Sequence, residues 1–209
     1  MLDVHAPHEP IHGFRDFLLH LLTITVGLLI ALGLENAAEA WHHRHQRREA
    51  EATIREELRE NRAQMQEAQK TVHEELGMLV RVLGFLEDRS AGRAGDPAGL
   101  SLSFSEEPMQ DSAWRTAAST GVLSYMNYGE VQRYALAYKE QDMYETLQQQ
   151  TLDEYLQLNS YVVKGFDPAR VTPEIIQSAM PDVRRAVAHL EGMLDVSRGA
   201  LKAYDDALK

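Results

Sequence analysis

Residues 17–34 read FLLHLLTITVGLLIALGL, a run in which His20 is the single ionisable side chain. Small residues extend it through Ala37 and Ala38, and Trp41 follows at the depth where an indole favours a membrane–water interface. At 1.5 Å per residue, about 20 such residues cross a hydrocarbon core ~30 Å thick. The run is apolar on every face, which argues against a half-buried core helix. A cleaved signal peptide fits poorly. The residues before the run offer Arg15 beside Asp16, the run is long, and Ala37-Ala38-Glu39-Ala40 is the nearest small-residue cleavage site. The reading is a transmembrane helix over 17–38, preceded by a short tail, 1–16.

Flanking charge orients this span. One arginine stands before it against Asp3, Glu9 and Asp16, whereas Arg44, Arg47 and Arg48 follow it closely. The positive-inside rule then places the C-terminal portion in the cytoplasm, with a periplasmic placement as the alternative.

The remainder suits one soluble domain on a stem. Formal net charge is -11 and the acidity lies downstream of residue 48, which disfavours a nucleic-acid partner. There are no cysteines, so disulfides, thiolate nucleophiles and thiolate metal sites are excluded. No proline occurs from Gly13 to Asp88. A stem helix is expected over 41–88, with apolar or small positions at Ile54, Leu58, Asn61, Met65, Ala68 and Val72. The pattern resumes at Leu76, Leu79, Leu83 and Leu86 after a four-residue stutter. Gly77 and Gly84 suggest a bend or a close crossing.

Residues 89–108, with three glycines and two prolines, read as a loop, and 109–209 as the rest of a bundle. Helices are predicted at about 111–120, 128–164, 173–180 and 182–208. Asn127 with Glu130, and Thr172 before Pro173, are the helix starts, while Gly121 and Pro181 are the interruptions. The 128–164 helix carries Val131, Tyr134, Tyr138, Leu147, Tyr155, Leu158 and Val162 along one side. The last helix offers a 3-4 seam of Val183, Val187, Leu190, Leu194, Ser197, Leu201, Tyr204 and Leu208. No segment shows convincing two-residue alternation. The fold class is therefore all-α, with the N-terminal span continuing into a stem that packs in an antiparallel bundle.

Several side chains invite a chemical reading. Within the span, His20, Thr23, Gly27, Gly33 and Glu35 combine polar and small residues suited to packing against another span. Trp41 is the interface anchor. The tract His42-His43-Arg44-His45, with Glu39 three residues before His42, offers a weak metal-binding candidate in Glu39, His42 and His45. One Glu-x-x-His step is half of what a carboxylate-bridged bundle uses. The other match, Glu9 to His12, contains a proline. Tyr125, Tyr128, Tyr134, Tyr138, Tyr144, Tyr155 and Tyr161 suggest either half-buried packing or a ligand pocket. No cofactor and no catalytic constellation is indicated.

Two blocks resemble known families. HGFRDFLLHLLTITVGLLIALGLE (12–35) followed by WHHRH (41–45) is similar to the start of many uncharacterised proteobacterial membrane proteins. SAWRTAASTGVLSYM (112–126), through Trp114, Ser119, Gly121 and Leu123, resembles a segment of a related bacterial domain family with one N-terminal span and a helical domain of unknown function. The resemblance implies a single-pass protein of the bacterial inner membrane and carries over no site residues. The function expected is a membrane-tethered scaffold or accessory subunit, working as a homo-oligomer or with another membrane protein in the lipid bilayer. The alternatives are a membrane-anchored sensor with a ligand-binding helical domain and a His/Glu metalloprotein.

Overall fold

A computed structural model describes residues 13–161 and 170–209. All regular structure among these residues is helical: α1 (Phe14–Ser90), α2 (Ser112–Ser119), a 3-10 helix (Val122–Tyr125), α3 (Tyr128–Ser160) and α4 (Pro173–Ala207). The chain divides into two compact units, 1–48 and 49–209, each considered by itself. Most of the tail 1–16, Glu9 and His12, Val162 and the break expected after residue 164 lie outside the described residues.

In the first unit, α1 begins at Phe14 and its apolar window is wholly uncovered. By length and composition this helix can cross a membrane. The threonine hydroxyls turn back onto the helix, Thr23 donating to the Leu19 carbonyl and Thr25 to that of Leu21, both at 2.8 Å. Neither therefore exposes an unsatisfied donor to lipid.

The second unit is a bundle of three long helices, in which α1 packs against α3 and α4. Cross-links fix their directions. Arg62 meets Asp205 at 2.7 Å, Gln69 donates to Ser197 at 2.9 Å and Glu87 meets Arg184 at 3.0 Å, so α4 runs antiparallel to α1. Glu57 and Asn61 bond Tyr138 and Gln141 in the same order, so α3 runs parallel to α1. Two parallel helices require a return crossing, and the loop supplies it. Residues 100–111 descend along α1 as an extended strap, with Leu100, Leu102 and Phe104 packed on the core and Ser101, Ser103 and Ser105 exposed. This is a two-residue alternation after all. An extended strap has no ladder to satisfy its N–H groups, and α1 side chains serve instead. Ser101 N bonds Met78 Sδ at 3.4 Å, Ser105 N bonds Glu75 at 2.7 Å and Gln110 N bonds Asn61 Oδ1 at 2.8 Å.

The core corrects four expectations. On α1 the buried positions Ile54, Leu58, Asn61, Met65, Ala68, Val72, Glu75, Leu79, Val82 and Leu86 form an unbroken 3-4 alternation, with Glu57 and Phe85 buried beside it. The stutter disappears once Glu75 takes the core position, and Leu76 and Leu83 move to its edge. Gly77 and Gly84 are exposed with nothing near a built Cβ, so neither admits a close crossing. On α4 the expected seam residues Val183, Leu190, Leu194, Ser197 and Tyr204 are buried, together with Ile176, Ala179, Asp182, Ala186, Met193, Ala200, Ala203 and Ala207, whereas Val187, Leu201 and Leu208 are only partly buried. Alanines, not the larger neighbours, face the bundle, because small side chains admit the bulky tyrosines of the facing helices.

The predicted helices 173–180 and 182–208 are also one helix, with Pro181 inside it. Pro181 lies on the exposed face, so the carbonyl it leaves without a helical donor sits on the solvent side. Ile176, Ala179, Asp182 and Val183 anchor the buried face on either side of it. The starts are as expected. Asn127 caps α3 by accepting from Gly129 N at 2.9 Å, and Thr172 caps α4 by accepting from Ile175 N, with Pro173 in the first turn. Gly121, at φ 74°, ends the segment containing α2.

Candidate functional site

The residues expected to form a packing face in the span, His20, Thr23, Gly27, Gly33 and Glu35, are all exposed on α1. Gly27 and Gly33 have nothing within 4 Å of a built Cβ, so the small-residue notches stand open. Trp41 is 69% exposed, and its indole stacks on the His45 ring at a centroid distance of 5.9 Å.

The histidine tract is arranged differently from the metal half-site. Glu39 approaches His43 at 3.9 Å, one helical turn on, rather than His42. The His42 ring faces His43, and the His45 ring lies on Trp41. Glu39, His42 and His45 do not converge on one point. Among the described residues, no group of three His, Asp or Glu side chains is placed to hold a metal ion.

Of the tyrosine set, Tyr134, Tyr138, Tyr144 and Tyr155 are buried in the bundle, joined by Tyr204 from α4. Tyr125 and Tyr128 are exposed, and Tyr161 is half-buried with its hydroxyl donating to Asp182 at 2.8 Å. Among the described residues the buried rings pack into the core, and none of them lines the cavities described below. The enclosed space beneath Val82, Leu158 and Val183 amounts to about 20 Å³. Burial raises the hydroxyl pKa of Tyr138, Tyr144, Tyr155 and Tyr204, so each remains a neutral hydrogen-bond donor at ordinary pH.

What the apolar periodicity did not reveal is a pair of polar layers inside this core. In the lower one, the Glu57 carboxylate accepts from Tyr138 at 2.6 Å, from Ser112 Oγ at 2.9 Å and from Ala113 N at 2.8 Å. It thereby ties the first turn of α2 to α1. One turn above, Asn61 donates to Gln141 Oε1 at 3.0 Å and accepts from Gln110 N, while Tyr204 donates to the same Gln141 oxygen at 2.9 Å. Gln141 Nε2 in turn bonds the Gln110 carbonyl at 3.1 Å. Three helices and the strap thus meet at one set of paired groups. Such a layer contributes less stability than apolar packing, but it fixes one register, since a slipped helix would bury these groups unpaired.

The upper layer contains Glu75, only 8% exposed. One carboxyl oxygen accepts from Ser105 N, and the other is buried without a partner, as is Gln148 Oε1. Desolvation raises the Glu75 pKa from 4.5 to about 7, with Glu74 adding repulsion and the Ser105 bond opposing both. The signal that could have found Glu75 was the strict continuation of the 3-4 spacing through a polar residue, whereas Glu57 stands beside Leu58, off that spacing.

A surface cleft of about 500 Å³ lies between the end of α1 and the start of α4. Pro173, Ile176, Met180 and Pro181 line it together with Arg89 and Arg184. Comparison of the chain with protein-family profiles, characterised proteins and solved structures returns no match in any of the three.

Proposed function

We propose that this protein is a membrane-tethered helical interaction module, a scaffold or accessory subunit that assembles through its N-terminal span and presents its bundle to a partner. The observation that carries this reading is the uncovered apolar window of α1 in the same chain as a densely filled bundle. An apolar helix with no cover in its own chain needs lipid or another helix. The open notches at Gly27 and Gly33, flanked by His20 and Glu35, favour a helix in part of that contact. The charge asymmetry around the span favours a cytoplasmic bundle, and the resemblance of residues 12–35 and 112–126 implies the inner membrane of a bacterium.

Light scattering of the full chain in mild detergent tests the assembly. A mass of two or more chains, or a co-purifying membrane protein, is the expected result. A strict monomer that retains no partner overturns the reading. Protease accessibility in intact spheroplasts decides the side, with protection of the bundle expected.

The second reading is a membrane-anchored sensor, and the cleft at Ile176 and Met180 favours it. The buried tyrosines give it no pocket, so a ligand would bind at this end of the bundle. Thermal stabilisation by small amphiphilic carboxylates, abolished by Met180→Trp, is the outcome that would support it.

A further inference from the structure

We infer that Arg44, Arg47 and Arg48 form a collar that binds the headgroups of anionic phospholipids, an inference that rests on the reading of residues 17–38 as a membrane span. Arg44, Arg47 and Arg48 stand at i, i+3 and i+4 on α1, and Trp41, Arg44, His45 and Arg48 share the 3-4 spacing of one helix face. Residues 40–48 contain no carboxylate. Among the described residues, none of the three guanidinium groups makes an ion pair with Asp or Glu, and Arg47 Nε is buried without a hydrogen-bond partner. In the second unit Arg59, Arg62, Arg93, Arg115, Arg184, Arg185 and Arg198 each hold a carboxylate, while Arg55 and Arg81 bond a backbone carbonyl and a thioether sulfur. In a chain of net charge -11, three adjacent arginines without an acidic partner mark a place where the anion comes from outside.

Position selects the source of that anion. Counted from Ala38, Trp41 lies about 5 Å along the helix axis and Arg44 about 9 Å. The headgroup layer is roughly 5–8 Å deep on each side of the hydrocarbon. Arginine stems extend back along a helix to reach such a layer, and their planar forks match phosphate oxygens in pairs. The exposed Trp41 marks the boundary at which this happens. Each basic residue near an anionic surface strengthens binding by about fivefold, so three together discriminate strongly between anionic and zwitterionic lipids.

The full chain reconstituted in nanodiscs made from equal parts of phosphatidylglycerol and phosphatidylcholine tests the collar. Native mass spectrometry counts the lipids retained on the protein. Several-fold enrichment of phosphatidylglycerol is expected. It should fall by about fivefold or more in the triple variant Arg44→Gln, Arg47→Gln, Arg48→Gln, and should persist in Arg81→Gln, which alters an exposed arginine of the bundle. Equal retention of both lipids, or enrichment that survives the triple change, overturns the assignment. A chain that inserts into discs and captures soluble polyglutamate without lipid enrichment gives the collar to an acidic protein and overturns it too. A chain absent from the discs refutes the span reading itself, and the collar with it.

Discussion

Replacing Glu75 by glutamine is expected to remove most of the dependence of the bundle's stability on pH in the neutral range. The carboxyl sits at a core position of α1 with one oxygen on Ser105 N and the other without a partner, and its pKa is raised from 4.5 to about 7. Between those two values the folded protein holds a proton that the unfolded chain releases. Stability is therefore fully present below about pH 4.5, declines as pH rises, and has lost the whole contribution above pH 7. At ~1.4 kcal/mol per pH unit, the interval from 4.5 to about 7 corresponds to about 3 kcal/mol. Glutamine keeps an acceptor for Ser105 N and cannot ionise. Glu75→Gln should consequently be more stable than the parent at pH 8, by up to about 3 kcal/mol, and within about 1 kcal/mol of it at pH 5. Burial also raises the pKa of Glu145, so a smaller slope of the same sign should remain. Urea unfolding of the full chain in a nonionic detergent, followed by far-ultraviolet circular dichroism from pH 5 to 8, measures the difference. An unchanged slope, or a variant weaker than the parent at pH 8, would refute the placement of Glu75 in the core.

Three further outcomes follow from the packing. Gly95, at φ 67°, has the Phe85 ring 2.8 Å from the place of a Cβ, so Gly95→Ala should cost about 1–3 kcal/mol in the same urea titration and loosen the start of the strap. Ala200→Leu, at a fully buried seam position, should destabilise by about 1–3 kcal/mol, more than Leu201→Ala at the partly buried edge; the reverse order would restore the seam expected from large residues. Asn61→Ala leaves Gln141 and the Gln110 backbone short of partners, at a cost of about 2–4 kcal/mol, and should speed amide exchange across residues 109–113 before it affects α4.

How much of this was legible in the sequence depends on what each feature is made of. The apolar window, the helix starts at Asn127 and Thr172 and the stop at Gly121 are set by local chemistry, and the structure has them where the residues place them. The register of α1 was misread because Glu75 is charged and Leu76 is not, although spacing alone favours Glu75. Five of the eight expected α4 seam residues are buried, and Val187, Leu201 and Leu208 give way to the alanine one position before each for a related reason. Leucine and valine carry more hydrophobic weight than alanine, whereas the space left beside Tyr134, Tyr144 and Tyr155 rewards small size. Pro181 interrupts a helix by local rules and is overridden by tertiary contacts on both sides of it. The polar layers were hidden more deeply, since Glu57 meets Tyr138 and Asn61 meets Gln141 across separations of 81 and 80 residues. No window of sequence contains such a layer.

The parallel arrangement of α1 and α3 has a consequence for how the chain is made. The contacts between α3 and α4 close loops of 31 residues at Glu154 with Arg185, 42 at Thr151 with Met193 and 63 at Gln141 with Tyr204. Those joining α1 to α4, Gln69 with Ser197 and Arg55 with the Leu208 carbonyl, span 128 and 153 residues. Loop closure favours the short connections, so the α3–α4 hairpin forms first and α1 with its strap docks onto it afterwards. Synthesis runs in the opposite order. The stem leaves the ribosome with its core face from Ile54 to Leu86 open, and it stays open until the last turns of α4 have emerged. During that interval the core face of the stem has no cover from its own chain, which makes it the segment most in need of protection before α3 and α4 arrive.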